Sequence, residues 1–130
     1  MFAMRAFLPV LAFAGLAGCA ASATGPREGD ALASELAGLE AGEPATCIDQ
    51  SPATNLQVID QRTLVYRTSR RIWVNRLEAA CPGLRPLNLL VIQSDSGRYC
   101  RGDTFRSLDG ASNIPGPICR LNDFIPYHRR

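Results

Sequence analysis

Cysteine content is the feature that most constrains how this 130-residue chain folds. Four of its five cysteines lie in the C-terminal two thirds, separated by 33, 18 and 18 residues. Zinc sites usually bring cysteines in pairs two to four residues apart, and redox or haem motifs need Cys-x-x-Cys, so neither pattern is present. We therefore expect two disulfides and no metal or other cofactor. The participants would be Cys47, Cys81, Cys100 and Cys119.

Four cysteines allow three disulfide connectivities, and spacing alone does not choose among them. We favour Cys47–Cys119 together with Cys81–Cys100, because the first bridge would tie the start of the domain to its end. In the chain-entropy model each bridge would contribute on the order of 3–4.5 kcal/mol. Since a small domain has a net stability of about 5–15 kcal/mol, these bridges would be a large share of it.

The first 19 residues carry a targeting signal. Arg5 precedes a mostly apolar run over residues 6–17, which is shorter than the roughly 20 apolar residues that a bilayer-spanning helix needs. The run ends in Leu16-Ala17-Gly18-Cys19, which resembles the lipobox of bacterial lipoproteins. The resemblance implies cleavage before Cys19, diacylglycerol on its sulfur and an acyl chain such as palmitate on the new amine. Two or three chains would anchor the protein stably in a membrane.

Ala20, rather than Asp, follows the lipobox cysteine, and by the same resemblance this favours the outer membrane, with the protein facing the periplasm. The alternative is an ordinary signal peptide with a chance cysteine. We divide the chain into a signal peptide (residues 1–18), a lipidated N-terminus with a flexible tether and a short acidic helix (residues 19–46), and a small β-rich periplasmic domain (residues 47–130).

One short helix is expected over residues 30–41, where leucines recur at i, i+4 and i+7. Asp30 would cap its start, and Gly42 would follow its end. A helix this short is marginal in water, so it must dock onto the domain or fray.

The remainder of the chain predicts β-structure. Residues 87–93 are nearly all apolar and suggest a central strand buried on both faces, and Gly102 suggests a bulge within a longer strand. A hairpin would turn at residues 68–70. We expect a mainly β fold, with a small antiparallel curled sheet or partial barrel of about five strands. The strands would cover residues 56–59, 63–67, 71–75, 87–93 and 98–108, before a loop and a short tail.

Catalytic machinery is sparse in the sequence. The single histidine, His128, lies three residues from the end, and the nucleophile-elbow, phosphate-loop and zinc-protease motifs are absent. Asp95, Asp103 and Asp109 are near one another, and two of them could converge as paired carboxylates. A small hydrolase is therefore an alternative, but we expect no enzyme, because turns favour Asp at two of these positions.

The most distinctive charged feature is an arginine-rich hairpin without acidic residues. Since Arg suits bidentate contacts with carboxylate or phosphate, the hairpin would bind an anionic ligand or an acidic partner. The competing interpretation is a solvated hairpin that pairs with the acidic helix. Net charge is only +2, and the envelope location disfavours nucleic acid. The candidate binding residues are Arg67, Arg70, Arg71 and Trp73.

Residues 41–126 are similar to a group of short proteobacterial lipoproteins that is classed as a domain of unknown function. The resemblance supports the envelope assignment and implies no activity, cofactor or catalytic residue. The words that carry it are Gly42-Glu43-Pro44, Cys47-Ile48, Val58-Ile59-Asp60, Arg62-Thr63, the Trp73 strand, Asn75-Arg76-Leu77, Cys81-Pro82-Gly83-Leu84, Gly97-Arg98-Tyr99-Cys100 with Gly102-Asp103, and Pro117-Ile118-Cys119 to Phe124.

These features together predict an outer-membrane lipoprotein with a non-enzymatic interaction or structural role in the cell envelope. Its partners would be the membrane, through the anchor on Cys19, and an envelope protein or anionic envelope component. Binding of an anion by the hairpin and hydrolysis by paired carboxylates are the alternatives.

The lipid anchor has a direct test. Cys19→Ser should abolish incorporation of radiolabelled palmitate and leave an uncleaved or soluble product, because the acylated sulfur is lost. Mass spectrometry of the native protein should find an acylated Cys19 at the N-terminus. A native chain that starts at another residue, or that carries no acyl groups, would contradict the assignment.

Overall fold

The computed structural model describes residues 27–130. The predicted signal peptide, Cys19 and the first part of the predicted tether lie outside the described residues. Within residues 27–130 no helix is long and apolar enough to cross a membrane. The same range contains one helix and ten strands: α1 (Glu28–Leu36), β1 (Glu40–Ala41), β2 (Cys47–Asp49), β3 (Gln57–Asp60), β4 (Thr63–Arg67), β5 (Ile72–Arg76), β6 (Leu89–Gln93), β7 (Arg98–Cys100), β8 (Thr104–Leu108), β9 (Cys119–Arg120) and β10 (Phe124–His128).

The described strands form three antiparallel sheets, and none of them closes into a barrel. The largest has the order β1-β10-β5-β4-β3, and two smaller sheets have the orders β2-β7 and β6-β8-β9. The predicted mainly β fold with one N-terminal helix and two disulfides is confirmed. The largest sheet has five strands, but only β3, β4 and β5 are among the five that the sequence predicts, and the predicted strands at residues 87–93 and 98–108 lie in the two smaller sheets.

Strand β4 lies at the centre of the packing. Side chains alternate along a strand, so Leu64 and Tyr66 point to one side of the large sheet and Val65 points to the other. On the Val65 side, Leu32 of α1 completes a small apolar cluster. On the opposite side, Leu64 and Tyr66 belong to the main core, which also contains Phe105 of β8. The domain therefore has three layers: the helix, the large sheet and the two small sheets.

The helix is shorter than predicted and begins earlier. Arg27 occupies the N-cap position without a side-chain hydrogen bond, so the prediction that Asp30 caps the helix is wrong. Ala37 is already extended, and Gly38 follows with φ +81°, a conformation that glycine adopts without steric cost. The helix therefore ends at Leu36, and Gly38 lies beyond it, whereas the sequence pattern placed Gly38 in the middle.

The prediction that residues 87–93 form a strand buried on both faces is wrong. Strand β6 begins at Leu89, pairs only with β8, and has one face open to solvent, where Leu89 is 63% exposed. Leu87 precedes the strand with φ +68° and is 96% exposed. The strand that is buried on both faces is β4. A continuous apolar run gives no facing preference of its own, so the neighbouring layers decide which side is covered.

Gly102 separates two strands instead of making a bulge within one. Its φ of +90° allows a turn, after which the chain leaves the β2-β7 sheet and enters the β6-β8-β9 sheet. The Asp103 carboxylate accepts a hydrogen bond from the Cys100 backbone N–H at 2.8 Å and holds this turn. The predicted strand over residues 98–108 is therefore two strands in different sheets.

The C-terminal tail contains a strand that the sequence pattern missed. Strand β10 lies inside the large sheet, between β1 and β5, although Pro126 sits in its middle. The Pro126 carbonyl accepts a hydrogen bond from Gly42 N–H at 2.8 Å, so this residue's backbone faces the two-residue strand β1. The N–H that proline lacks would also have pointed towards β1. The longer ladder between β10 and β5 therefore loses no hydrogen bond.

All four predicted cysteines form disulfides, but the favoured pairing is wrong. The bridges are Cys47–Cys100 and Cys81–Cys119. Cys47 and Cys100 lie directly opposite each other in the β2-β7 ladder, with their Cα atoms 4.1 Å apart. The register of two strands that are distant in sequence therefore decides the connectivity, and the sequence does not display that register.

The layered packing predicts very different costs for two leucines. Leu64→Ala should lower the free energy of unfolding by about 2–5 kcal/mol, because this side chain is fully buried in the core. Leu87→Ala should change it by less than about 0.5 kcal/mol, because that side chain is almost fully exposed. Urea denaturation of both variants measures the difference, and a comparable loss from Leu87→Ala would contradict the placement of residues 87–93.

Candidate interaction surface

The arginine-rich hairpin does not form one continuous patch. Arg67 pairs with Ile72 across the β4-β5 ladder and lies on the helix side of the large sheet, where its guanidinium meets Glu35. Arg71 lies over the ring of Trp73, with its guanidinium carbon 5.4 Å from the ring centroid. Trp73 packs against the main core, on the opposite side of the sheet. Arg67 and Arg71 are therefore kept apart by the sheet itself.

The Arg67 guanidinium is hydrogen-bonded to the helix through Glu35. Its Nε and Nη2 atoms donate to the two carboxylate oxygens of Glu35 at 2.8 and 2.7 Å, and Nη1 donates to the side chain of Gln57. The hydrogen bonds from Arg67 hold the pKa of Glu35 below its usual range, although partial burial opposes this effect. The same bonds raise the pKa of Arg67. Arg67 therefore docks the helix, as the competing interpretation of the hairpin proposed.

Two predicted anion-binding residues remain exposed at the hairpin. Arg70 lies in the turn between β4 and β5, where Thr68 N–H donates to the Arg71 carbonyl at 3.0 Å. Arg71 is also exposed and stacks on Trp73. The structure therefore brings Arg71 and Trp73 together near the turn that holds Arg70, without Arg67. Anion binding by this smaller group stays a prediction.

The candidate catalytic carboxylates have local structural uses. Asp95 and Asp103 line the same shallow cleft of about 620 Å³, but Asp95 is exposed and Asp103 accepts the Cys100 N–H. Asp109 accepts the backbone N–H of Ala111 at 2.8 Å and so stabilises its own turn. His128 is exposed at the end of β10. Among the described residues, no group of three or more His, Cys, Asp or Glu side chains is placed to hold a metal ion.

The outer face of the β6-β8-β9 sheet exposes a cluster of aliphatic side chains. Along β6, Leu90 and Ile92 pack against the main core, so the alternating residues Leu89 and Val91 point outward. Leu89 is 63% exposed and Val91 is 51% exposed. Ile118, just before β9, is 58% exposed and shares a recess of about 200 Å³ with Val91. We call this face the aliphatic face.

Arginine supplies the charge on the aliphatic face. Arg106 pairs with Val91 across the β6-β8 ladder and is exposed, and Arg120 pairs with Thr104 across the β8-β9 ladder. Neither β6, β8 nor β9 contains an acidic residue. The face therefore combines aliphatic side chains with positive charge, a composition suited to binding and unsuited to acid–base catalysis.

Sequence reasoning missed the aliphatic face, although strand β8 contains a signal for it. Phe105 lies between the polar residues Thr104 and Arg106, an alternation typical of a strand with one face in water. Since β6 neighbours β8 in one sheet, the same face of β6 must also reach solvent. This inference requires the pairing of β6 with β8, which the sequence of β6 alone does not reveal.

The geometry defines a small, disulfide-braced β domain that exposes one aliphatic sheet face. The model of a family of unknown function (DUF6491) matches residues 2–129, so the chain belongs to this family. The resemblance to a family of unknown function is confirmed at this level. No curated protein and no solved structure matches the chain.

The pair formed by Glu35 and Arg67 makes stability depend on pH. The pKa of Glu35 is lowered in the folded state, so its contribution is present above its unfolded pKa and is lost as pH falls through the folded value. Glu35→Gln should therefore destabilise the protein at pH 7, and this effect should diminish as pH falls below the unfolded pKa of Glu, about 4.3, and through the lower folded value. The effect should stay below about 1 kcal/mol, because both side chains are about a third exposed and water screens the pair.

Urea denaturation at pH 7 and pH 3 measures this effect. The matched control is Glu35→Gln in an Arg67→Gln background, where the pH-dependent difference should vanish. A Glu35→Gln effect that is equal at both pH values would contradict an ion pair with Arg67.

Proposed function

We propose that this member of the family is a lipoprotein of the bacterial cell envelope, anchored in the outer membrane through Cys19. The lipobox-like words Leu16-Ala17-Gly18-Cys19, followed by Ala20, support this location. Two disulfides in a short domain are consistent with an oxidising compartment. The folded part is proposed to be a non-enzymatic interaction module.

The aliphatic face is the observation that carries the proposed role. Leu89, Val91 and Ile118 are each more than half exposed on one side of one sheet. Covering apolar surface that is exposed to water is favourable by about 25 cal/mol per Å², so a cluster of half-exposed aliphatic side chains favours association. Clustered apolar surface rimmed by polar residues is typical of interaction sites on soluble proteins.

The alternatives have less structural support. Hydrolysis would need two carboxyl groups poised for acid and base roles, whereas Asp103 is engaged in its turn and Asp95 faces solvent. Anion binding by the hairpin loses Arg67, which is committed to Glu35. Neither site has the apolar area of the aliphatic face.

Photo-crosslinking in intact cells tests the interaction module. A benzophenone amino acid in place of Leu89 or of Ile118 should give a discrete covalent adduct at one or both positions, because both side chains lie within the aliphatic face. The matched control replaces Ser69, which is exposed in the β4-β5 turn, away from that face. Labelling at Ser69 equal to that at Leu89 and Ile118, or no adduct from either Leu89 or Ile118, would contradict the proposed role.

A further inference from the structure

Strand β6 is an unprotected edge. It pairs with β8 on one side in an unbroken register from Leu89 to Gln93, and no described strand pairs with its other side. Its five residues include no charge, no proline and no glycine. An edge strand carries unpaired backbone N–H and C=O groups, so a straight, apolar edge is a template for another strand.

The other sheet edges among the described residues are protected. Strand β1 has two residues and contains Glu40, and β3 carries Asp60 beside a shift in register. Strand β9 has two residues, including Arg120. Strands β2 and β7 have three residues each and carry the pair Asp49–Arg98. Short length, charge and irregularity all hinder strand addition, and β6 has none of them.

We propose that two copies of this chain associate through antiparallel pairing of β6 with β6. This inference rests on the proposed function, because it names a partner for the sheet that carries the aliphatic face. Pairing centred on Val91, the middle residue of the strand, places Val91 opposite the partner's Val91 and Leu89 opposite the partner's Gln93. The two three-stranded sheets then form one six-stranded sheet with a two-fold axis, in which the same surface is used on both copies.

Charge favours this edge pairing over face-to-face packing of two aliphatic faces. Face-to-face packing would bring Arg106 and Arg120 of both copies into one apolar interface that has no acid on its strands to neutralise them. In edge pairing, Arg106 lies on β8, and three strand spacings separate the two copies of β8. At about 4.8 Å per spacing, the two Arg106 positions are about 14 Å apart and remain in water.

The residues that flank β6 also favour the antiparallel direction. Arg85 precedes the strand and Asp95 follows it, and both are exposed. Antiparallel pairing brings the cationic start of one β6 towards the acidic end of the other, whereas parallel pairing would bring like charges together. In this dimer the free edge of β6 is paired, and the other described edges are protected. The assembly therefore closes at two copies.

Cysteine crosslinking of the full-length protein in its own envelope tests this geometry. In the proposed register, Val91→Cys places two thiols on directly opposite residues, whose Cα atoms are about 4.5–5.5 Å apart and within reach of a disulfide. Leu89→Cys is the matched control on the same face. Its two copies would lie about 14 Å apart, beyond that reach. Mild oxidation should give a reducible dimer with Val91→Cys at least tenfold above Leu89→Cys.

Leu89 is more exposed than Val91, so non-specific association of apolar faces would crosslink Leu89→Cys at least as well. Equal dimer yields from the two cysteines, or no dimer from Val91→Cys, would overturn the proposal. A mixture of chains with Leu89→Cys and chains with Gln93→Cys should restore the crosslink, because these residues are opposite each other in the proposed register.

A charge substitution separates this inference from the proposed function. Val91→Lys places like charges directly opposite each other, which disfavours strand pairing, and should reduce the dimer captured by the photo-crosslinker at Leu89 at least tenfold. The matched control, Ile118→Lys, changes an equally exposed aliphatic residue of the same face that lies away from β6. It should retain the dimer.

The mass of the adduct distinguishes failure of the self-pairing inference from failure of the proposed function. A dimer of this chain from the Leu89 photo-crosslinker supports the inference. An adduct with a different protein would overturn self-pairing while leaving the interaction module intact. Absence of any adduct from both Leu89 and Ile118 would overturn the inference and the proposed function together.

Discussion

Burial of β4 on both faces is the constraint on which the other elements depend. Tyr66 shows how this strand connects the layers: its hydroxyl accepts the Ser51 backbone N–H at 2.7 Å, and its ring meets that of Tyr99 edge to face at 5.8 Å. Tyr99 belongs to β7, so this contact joins the large sheet to the two-stranded sheet. Burial, followed by the proximity of Tyr66, raises the pKa of Tyr99. On the other face, Val65 provides the surface on which the short helix docks.

The disulfides support the shortest strands of the domain. Two- and three-residue strands are too short to be stable by pairing alone, and the β2-β7 sheet consists only of such strands. Cys47–Cys100 fastens that sheet across its ladder, while Cys81–Cys119 ties the chain after β5 to β9. The bridges therefore fasten strands that pairing alone would not stabilise, a device typical of small domains.

Local sequence predicted the elements whose environment follows from their own composition. Strand β4 was located to the residue, and β5 nearly so, because β-branched and aromatic residues cluster there and a short polar turn joins them. Strand β10 was missed because Pro126 disfavours a strand inside a sheet, and only its position beside the very short β1 makes it acceptable. Three features depend on which strands pair with one another. They are the side of β6 that is exposed, the disulfide pairing, and the separation of Arg67 from Arg71. A linear pattern does not carry that information, so the aliphatic face emerged only with the fold.

The proposed β6 pairing would form mainly where many copies are held close together. Two five-residue strands bury little surface compared with the roughly 1,200–2,000 Å² of a stable interface, so the association is weak between freely diffusing copies. An acyl anchor at Cys19 would confine all copies to one membrane surface, and tethering raises the effective concentration of one copy around another. The proposed anchor would then compensate for the weak affinity of the strand edge. An edge strong enough to pair in solution would form the dimer without an anchor, whereas a weak edge would become occupied only where the proposed anchor concentrates the copies.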